Sequence, residues 1–169
     1  MSIWGGGNIL VLCTANVCRS IYSEALLSAN LPSDLVRVRS AGVSAATSAS
    51  PCAEVQRRCA KAGLVRPSHA GRQCTAEDLR QAQLVVVMTR QQEGQVARLD
   101  LSARPRTFTL LSTVALAESA VTEGLRVATV EEWAWTMDQL RGSVPLPRIP
   151  RASRPQGLLR QRAPGPPTL

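Results

Sequence analysis

Cys13 and Arg19 lie six positions apart in one short segment, and this spacing suits phosphate chemistry. A turn between them can point backbone N–H groups inward as an anion-binding nest, and a helix starting there adds the positive end of its dipole. Both effects lower the pKa of a thiol, and the thiolate is the reactive form. Arg19 can hold a phosphate through two parallel hydrogen bonds. The segment therefore predicts Cys13 as a nucleophile and a surrounding phosphate-binding loop. The predicted phosphate-binding residues are Thr14, Ala15, Asn16, Val17, Cys18, Arg19 and Ser20.

The elements on either side of this loop must position it. Residues 8–12 form a continuous apolar run, which is typical of a buried parallel strand. A helix is expected from about Ser20 to Ala29. Parallel sheets bind ligands where a strand ends and the next helix begins, which is where Cys13 lies. This context favours a functional loop over the alternative that Cys13 and Cys18 are small buried apolar residues, a common fate of free cysteines.

Further strands and helices alternate along the chain. Strands are predicted at 35–39, 84–88 and 107–110. The capping signals that predict helix starts are Ser50 with Pro51, Thr75 with Asp78, Thr89 with Gln92, and Thr129 with Glu132. In the last of these helices Val130, Trp133, Met137 and Leu140 form an apolar stripe, and Trp135 is expected at the surface. The alternation predicts an α/β fold: a doubly wound four-stranded parallel sheet with flanking helices in three layers.

The basic charge is concentrated near the C-terminal end. The formal net charge is +8, yet residues 141–169 hold six arginines and no acidic residue, which leaves +2 for residues 1–140. Seven of the eleven prolines lie in residues 145–167. We therefore predict a folded domain at residues 1–142 and a Pro/Arg-rich disordered tail at residues 143–169. Because the charge belongs mainly to the tail, the domain is not expected to bind nucleic acid.

Several features indicate a cytoplasmic location. Residues 1–7 lack the basic and long apolar regions of a secretory signal, and no stretch reaches the roughly 20 apolar residues of a membrane helix, so no membrane association is expected. Five cysteines, an odd number, argue against a secreted disulfide scaffold. His69 is the sole histidine and no cysteine pairs have zinc spacing, so no metal and no cofactor are expected. The oligomeric state is left open.

The motifs resemble a known family in order along residues 8–140. Cys13, Asn16, Cys18, Arg19 and Ser20 match a Cys-x-x-Asn-x-Cys-Arg-Ser segment. Further blocks match at residues 39–42, 68–73, 75–79 and 87–89. Together they are similar to the low-molecular-weight protein tyrosine phosphatases, and this run of matches is far more specific than the loop alone.

The resemblance implies a phosphatase that forms a cysteinyl-phosphate intermediate. Its substrate would be a phosphorylated protein of the phosphotyrosine type or a small phosphate monoester. The implied roles are nucleophile for Cys13, binding of phosphate and transition state for Arg19, a hydrogen bond to the thiolate for Ser20, and bracing of the loop by Asn16 against Ser40 and His69.

Four features depart from the family pattern. Ala15 replaces a glycine, which would cost energy if the position needs a positive φ. Ile21 replaces a proline, and residues 45–50 hold no aromatic side chain to pack on a phenyl ring. The family's general acid is an aspartate followed by proline near the C-terminus, whereas the last acidic residue here is Asp138, in a predicted helix and without a following proline. The activity is therefore expected to be impaired by loss of the general acid.

An arsenate reductase is one alternative, because that chemistry can use the same loop. The thioredoxin-coupled type places a cysteine pair just after the third strand, where residues 89–94 contain none. Cys18 could still close a reversible disulfide with Cys13. The remaining cysteines are expected in the core rather than in a redox relay, namely Cys52, Cys59 and Cys74.

Three further alternatives remain open. An arginine phosphatase resembles the segment at Cys13 and Thr14 but has threonine where this chain has Val17, which favours the tyrosine type. A non-catalytic phosphate- or phosphoprotein-binding module would keep the loop and lose turnover, which the absent Asp-Pro pair supports. A nucleic-acid binder is the most distant alternative, since only the arginine-rich tail suggests it.

Overall fold

Four parallel strands form the sheet that carries the loop. A computed structural model describes residues 6–65 and 69–145 of the chain. The strands are β1 (Gly7–Cys13), β2 (Val36–Gly42), β3 (Leu84–Val87) and β4 (Thr107–Thr109). Their order is β2-β1-β3-β4, so β1 is interior and pairs with a neighbour on each side. The predicted α/β fold with a four-stranded parallel sheet is confirmed.

Helices cover both faces of this sheet. The α-helices are α1 (Arg19–Asn30), α2 (Ala53–Lys61), α3 (Ala76–Gln81), α4 (Arg90–Leu99), α5 (Leu110–Thr122) and α6 (Val130–Gln139), with a 3₁₀ helix at Leu101–Arg106. Side chains of α1, α5 and α6 pack on one face of the sheet, and those of α3, α4 and the 3₁₀ helix pack on the other. The result is the predicted three-layer arrangement.

The apolar run of β1 is continuous because both of its faces are buried. Ile9 and Val11 point into the first layer, and Leu10 and Leu12 point into the second. All four are at most 8% exposed. Strands buried on both sides lose the alternation of apolar and polar residues, which is typical of parallel sheets. Because both faces of β1 are packed, the position of Cys13, its last residue, is fixed at the carboxyl end of the sheet.

Threonine side chains cap most of the predicted helix starts. Thr75 accepts a hydrogen bond from the Asp78 N–H while the Asp78 carboxylate accepts one from the Thr75 N–H, which completes a capping box. Thr89 and Thr129 cap α4 and α6 by accepting hydrogen bonds from the N–H groups of Gln92 and Glu132, without the reciprocal bond of a capping box. These three predicted starts are confirmed.

The predicted start of α2 is wrong. The helix begins at Ala53 rather than Pro51, and its N-cap is Cys52 rather than Ser50. Cys52 has an extended backbone and donates its N–H to the Val17 carbonyl at 2.8 Å. This bond to the phosphate loop replaces a helical one, so Cys52 lies before the first helical residue. Helix α5 was not predicted.

The apolar stripe of α6 packs as expected. Val130 and Met137 are buried in the first layer, and Trp133 and Leu140 pack against the same cluster. Trp135 is 65% exposed, as predicted. Over the described part of the chain, none of the helices has the length and apolar character needed to cross a membrane. Residues 146–169, most of the predicted tail, and Ser68 lie outside the described residues, so the domain boundary at residue 142 stays a prediction.

Candidate active site

The predicted loop lies at the carboxyl end of the sheet. Cys13 ends β1, opposite Gly42 at the end of β2, and Arg19 begins α1. A Cβ atom at Gly42 would lie 2.6 Å from the Thr14 carbonyl oxygen, closer than real contacts allow. Glycine at this position therefore lets the end of β2 approach the loop.

The segment after β2 binds the outside of the loop through its backbone. The carbonyls of Cys13, Thr14 and Ala15 accept hydrogen bonds from the N–H groups of residues 43, 44 and 46 at 2.9–3.0 Å, and the Val17 carbonyl accepts one from Cys52. The carbonyl oxygens therefore face away from the thiol. The N–H groups of Asn16 and Ser20 point instead at the Cys13 Sγ atom. Such an inward set of N–H groups forms an anion nest.

The thiol of Cys13 is buried and free. Burial alone would raise its pKa. The Ser20 hydroxyl at 3.0 Å and the N–H groups of Ser20 and Asn16 outweigh that effect, with a further contribution from the charge of Arg19. The pKa of Cys13 is therefore held below its ordinary value. A larger thiolate fraction at neutral pH makes this sulfur a nucleophile.

Asn16 connects the loop to its surroundings through its side chain. Its side chain is fully buried and makes four hydrogen bonds: Nδ2 donates to Ser20 and Ser40, and Oδ1 accepts from His69 Nε2 and the Arg72 N–H. Their lengths are 2.8–3.0 Å. The backbone of Asn16 has φ +56°, a left-handed conformation that asparagine tolerates.

The positive φ that would strain Ala15 does not occur at this position. Among the described residues other than glycine, positive φ is found at Asn16 and Ser48, and Ala15 is not one of them. The residue of this loop with unusual backbone geometry is therefore Asn16, and alanine at position 15 carries no such penalty.

The network fixes the direction of each hydrogen bond. The Ser40 hydroxyl donates to the Glu24 carboxylate at 2.6 Å, so its oxygen accepts from Asn16. The Ser20 oxygen accepts from the other Nδ2 hydrogen, which leaves its own hydroxyl hydrogen for Cys13. Ser20 therefore serves as a donor to the sulfur, which is the arrangement that stabilises a thiolate.

The N-terminus of α1 is left open toward the loop. No side chain caps this helix, whose N-cap is Cys18, whereas threonines cap α3 to α6. Uncapped N–H groups and the helix dipole attract anions. Arg19 begins the helix and is exposed, Thr14 is exposed, and Ala15, Val17 and Cys18 are half-buried. The arrangement suits a small tetrahedral oxyanion bound above the thiolate.

Comparison with known proteins assigns the site to a family. The family model described as "Low molecular weight phosphotyrosine protein phosphatase" matches residues 8–129. The chain belongs to this family. The low-molecular-weight protein tyrosine phosphatase Etp of Escherichia coli strain K12 is 37% identical over 101 residues, which are 60% of this chain and 67% of the relative. The chain is accordingly a cysteine-dependent phosphatase-type hydrolase.

Solved structures agree with this assignment. The tyrosine phosphatase AmsI of Erwinia amylovora superposes with a TM-score of 0.60 at 25% identity, covering 79% of this chain and 87% of AmsI. The YwlE arginine phosphatase of Geobacillus stearothermophilus superposes with a TM-score of 0.57 at 27% identity, covering 79% and 85%. Phosphatases with different named substrates therefore share this fold.

Three residues in the phosphatase site were missed from the sequence, two of which contribute side chains and one its backbone N–H. Glu24 accepts from Ser40, and its Oε2 lies 4.0 Å from Nδ1 of His69. Arg72 donates its backbone N–H to Asn16, and Gln92 donates its Nε2 to the Thr14 hydroxyl at 3.1 Å. Glu24 lies one helical turn after Ser20 on α1, which is the one sequence signal that could have found it.

The Cys13–Cys18 disulfide that the sequence allows is not formed in this structure. Cys18 is bonded instead to Cys52, with their Cα atoms 5.6 Å apart. The Cys18 side chain faces α2, whereas the Cys13 sulfur faces Ser20 and Asn16. Cys52, which was expected in the core, is half-buried at the edge of a core cluster. Cys59 and Cys74 are free and buried, as expected.

Asp138 lies far from the phosphate loop. Its carboxylate pairs with Arg141 at 2.8 Å, and Arg141 also donates to the carbonyls of Pro105 and Thr107. Thr107 begins β4, and Cys13 ends β1, so the two sites lie at opposite ends of a parallel sheet. Across the described residues, no three potential ligands among His, Cys, Asp and Glu side chains are grouped to hold a metal ion.

Proposed function

We propose that this phosphatase hydrolyses phosphate monoesters of the phosphotyrosine type through a cysteinyl-phosphate intermediate on Cys13. The observation that carries the proposal is the Cys13 sulfur, which is free and buried and receives hydrogen bonds from Ser20 and Asn16 that lower its pKa. The substrate class would be phosphorylated proteins or small phosphate monoesters, and the location the cytoplasm.

Two displacements at phosphorus would make up the reaction. The Cys13 thiolate attacks phosphorus, the bond from phosphorus to the ester oxygen breaks, and the leaving group departs with the bonding electrons. Water then attacks the phosphorus of the cysteinyl-phosphate, which releases phosphate and restores the thiolate. The inward N–H groups and Arg19 stabilise the charge on the three equatorial oxygens in both steps.

The departing oxygen needs a proton unless it is a good leaving group. Asp138 pairs with Arg141 at the other end of the sheet, which supports the view that it does not supply that proton. Glu24 accepts from Ser40 beneath the loop, and Glu93 accepts from the Thr109 N–H. A general acid typically contributes about 100- to 10,000-fold to the rate. We therefore expect activated aryl phosphates to be cleaved and poor leaving groups to react much more slowly.

A series of substituted phenyl phosphates tests this proposal. kcat/KM should fall steeply as the pKa of the leaving phenol rises, and Cys13→Ser should abolish turnover. Cys59→Ala is the matched control, because Cys59 is a free buried cysteine on α2 outside the loop, and it should retain activity. A flat dependence with rapid phosphotyrosine hydrolysis would show that another group donates the proton. Faster turnover of phosphoarginine than of phosphotyrosine would instead support the arginine type.

A phosphate-binding module is the second candidate, and the position of Asp138 favours it. Such a module would bind an oxyanion at the loop without turnover. Vanadate binding measured by calorimetry, combined with no hydrolysis of any phenyl phosphate, would support binding alone. Vanadate binding combined with hydrolysis would support the enzyme.

A further inference from the structure

One covalent bond joins the phosphate loop to a neighbouring helix. Cys18 is the last residue of the loop before Arg19, and Cys52 is the N-cap of α2. Their disulfide joins residues 34 positions apart in the sequence, and the 5.6 Å between their Cα atoms is ordinary for disulfides. A hydrogen bond from the Cys52 N–H to the Val17 carbonyl at 2.8 Å holds the two cysteines side by side.

The surroundings of the pair direct Cys18 away from the nucleophile. The Cys18 and Cys52 side chains pack against Ile21, Val55 and Cys59, between α1 and α2. The Cys13 sulfur keeps its contacts with Ser20 and Asn16 while the disulfide is in place. The oxidised chain therefore contains a complete phosphate loop and a free nucleophile.

Cys18 and Cys52 are also the most solvent-accessible of the cysteines that the structure describes. Cys18 and Cys52 are half-buried, whereas Cys13, Cys59 and Cys74 are buried. Burial, with the nearby Asp78 charge, raises the pKa of Cys74 to about 12, which makes that thiol unreactive. Disulfides of cytoplasmic proteins are usually transient and redox-sensing, so a disulfide beside a thiolate nucleophile suggests regulation.

We propose that Cys18 and Cys52 form a reversible redox site, oxidised by small disulfides and reduced by dithiols, in which Cys52 keeps Cys18 from bonding to Cys13. The role in activity rests on the proposed phosphatase function, whereas the pairing of the sulfurs does not. Cys18 has two potential partners, one in its own loop and one on α2. Bonding to Cys13 would consume the nucleophile, and bonding to Cys52 spares it.

The chemistry balances with glutathione disulfide as the oxidant. The Cys52 or Cys18 thiolate attacks one sulfur of glutathione disulfide, forms a mixed disulfide and releases one glutathione thiolate. The second cysteine thiolate attacks the protein sulfur of that mixed disulfide, closes the Cys18–Cys52 bond and releases the second glutathione. Two protein thiols are oxidised, one glutathione disulfide is reduced, and both thiol protons pass to glutathione. Dithiothreitol reverses the exchange.

Disulfide mapping of two variants tests the pairing directly. The reduced wild type, Cys52→Ser and Cys59→Ala are each treated with glutathione disulfide, alkylated with iodoacetamide and digested with trypsin. Cys13 and Cys18 share the peptide of residues 1–19, and Cys52 lies in residues 40–57. The wild type and Cys59→Ala should yield these two peptides joined, with Cys13 alkylated. Cys52→Ser should yield residues 1–19 with an internal disulfide and no alkylation.

Activity on 4-nitrophenyl phosphate is measured on the same samples. Oxidation should leave the wild type and Cys59→Ala within about twofold of their reduced activity. It should reduce the activity of Cys52→Ser by about tenfold or more, and dithiothreitol should restore that activity.

Three results would overturn the proposal. They are a Cys13–Cys18 bond in oxidised wild type, an equal loss of activity in wild type and Cys52→Ser, and a Cys18–Cys52 bond that dithiothreitol does not reduce in the folded protein. If no reduced sample hydrolyses the substrate, the proposed function fails, and the peptide map still decides the pairing.

Discussion

Replacing Asn16 with alanine should destabilise the domain more than most single substitutions. The change removes four hydrogen bonds from a fully buried side chain. It also leaves the Ser40 hydroxyl and the Arg72 N–H with one hydrogen-bond partner fewer. Alanine, unlike asparagine, has no polar side chain to stabilise the left-handed backbone at φ +56°.

The magnitude follows from those contacts. Each hydrogen bond contributes roughly 0.5–1.5 kcal/mol net, so four contribute about 2–6 kcal/mol. The left-handed backbone adds roughly 1 kcal/mol for alanine. Since domains of this size are stable by about 5–15 kcal/mol, the melting temperature should fall by about 10 °C or more. Asn16→Gly should recover about 1 kcal/mol of the loss, because glycine accepts the positive φ.

Urea unfolding followed by circular dichroism measures the effect. Asn30→Ala is the matched control, because Asn30 is exposed at the end of α1 and donates a single side-chain hydrogen bond, to the Leu26 carbonyl. It should change the free energy of unfolding by no more than about 0.5 kcal/mol. The reasoning is refuted if Asn16→Ala loses less than about 1 kcal/mol, or if it loses no more than Asn30→Ala.

Three other outcomes are expected. Iodoacetamide labelling against pH should give Cys13 a midpoint below that of a free thiol, and vanadate should protect Cys13 from labelling. Cys74 should remain unlabelled until far higher pH, and equal midpoints for the two cysteines would contradict the assignment. Ser20→Ala removes a donor to the thiolate, so the Cys13 pKa and the acidic limb of the pH–rate profile should move to higher pH, whereas Ser28→Ala on the same helix should leave both unchanged. Reducing the Cys18–Cys52 bond should cost about 4 kcal/mol of stability from the entropy of its 34-residue loop, and calorimetry of Cys18→Ser, which can form neither this bond nor one to Cys13 through residue 18, should show no such difference with and without dithiothreitol.

The parts of the fold with strong local signals could be predicted from the sequence. The apolar run of β1, the polar loop after it and the start of α1 each follow from local preference, and together they place Cys13 correctly. Capping threonines such as Thr75 and Thr129 also act within one helical turn. Helix α5 gave no such signal, because Thr109 is followed at the third position by Ser112 rather than by an acid or amide.

Contacts between distant segments could not be predicted in the same way. Cys52 lies 34 positions from Cys18, and its place at the head of α2 follows from the path of the chain around the loop. The backbone bond from Cys52 to Val17 also displaces the start of α2 from the position that Ser50 and Pro51 indicate. Glu24 contributes through Ser40, on a different element, and no local pattern encodes that pairing.

Backbone hydrogen bonds join the phosphate loop to residues 43–52, so the loop conformation does not depend on most of the side chains in that segment. The four loop carbonyls are held by N–H groups, which every residue except proline possesses, so apart from Cys52, which is disulfide-bonded to Cys18, the side chains of this segment are not needed to hold the loop. Substitutions there can alter the rim of the site without altering the nest beneath it. We therefore expect substitutions at residues 43–50 of this chain to change its substrate preference at little cost to catalysis, and an aromatic residue introduced into residues 45–50 is the simplest change to try.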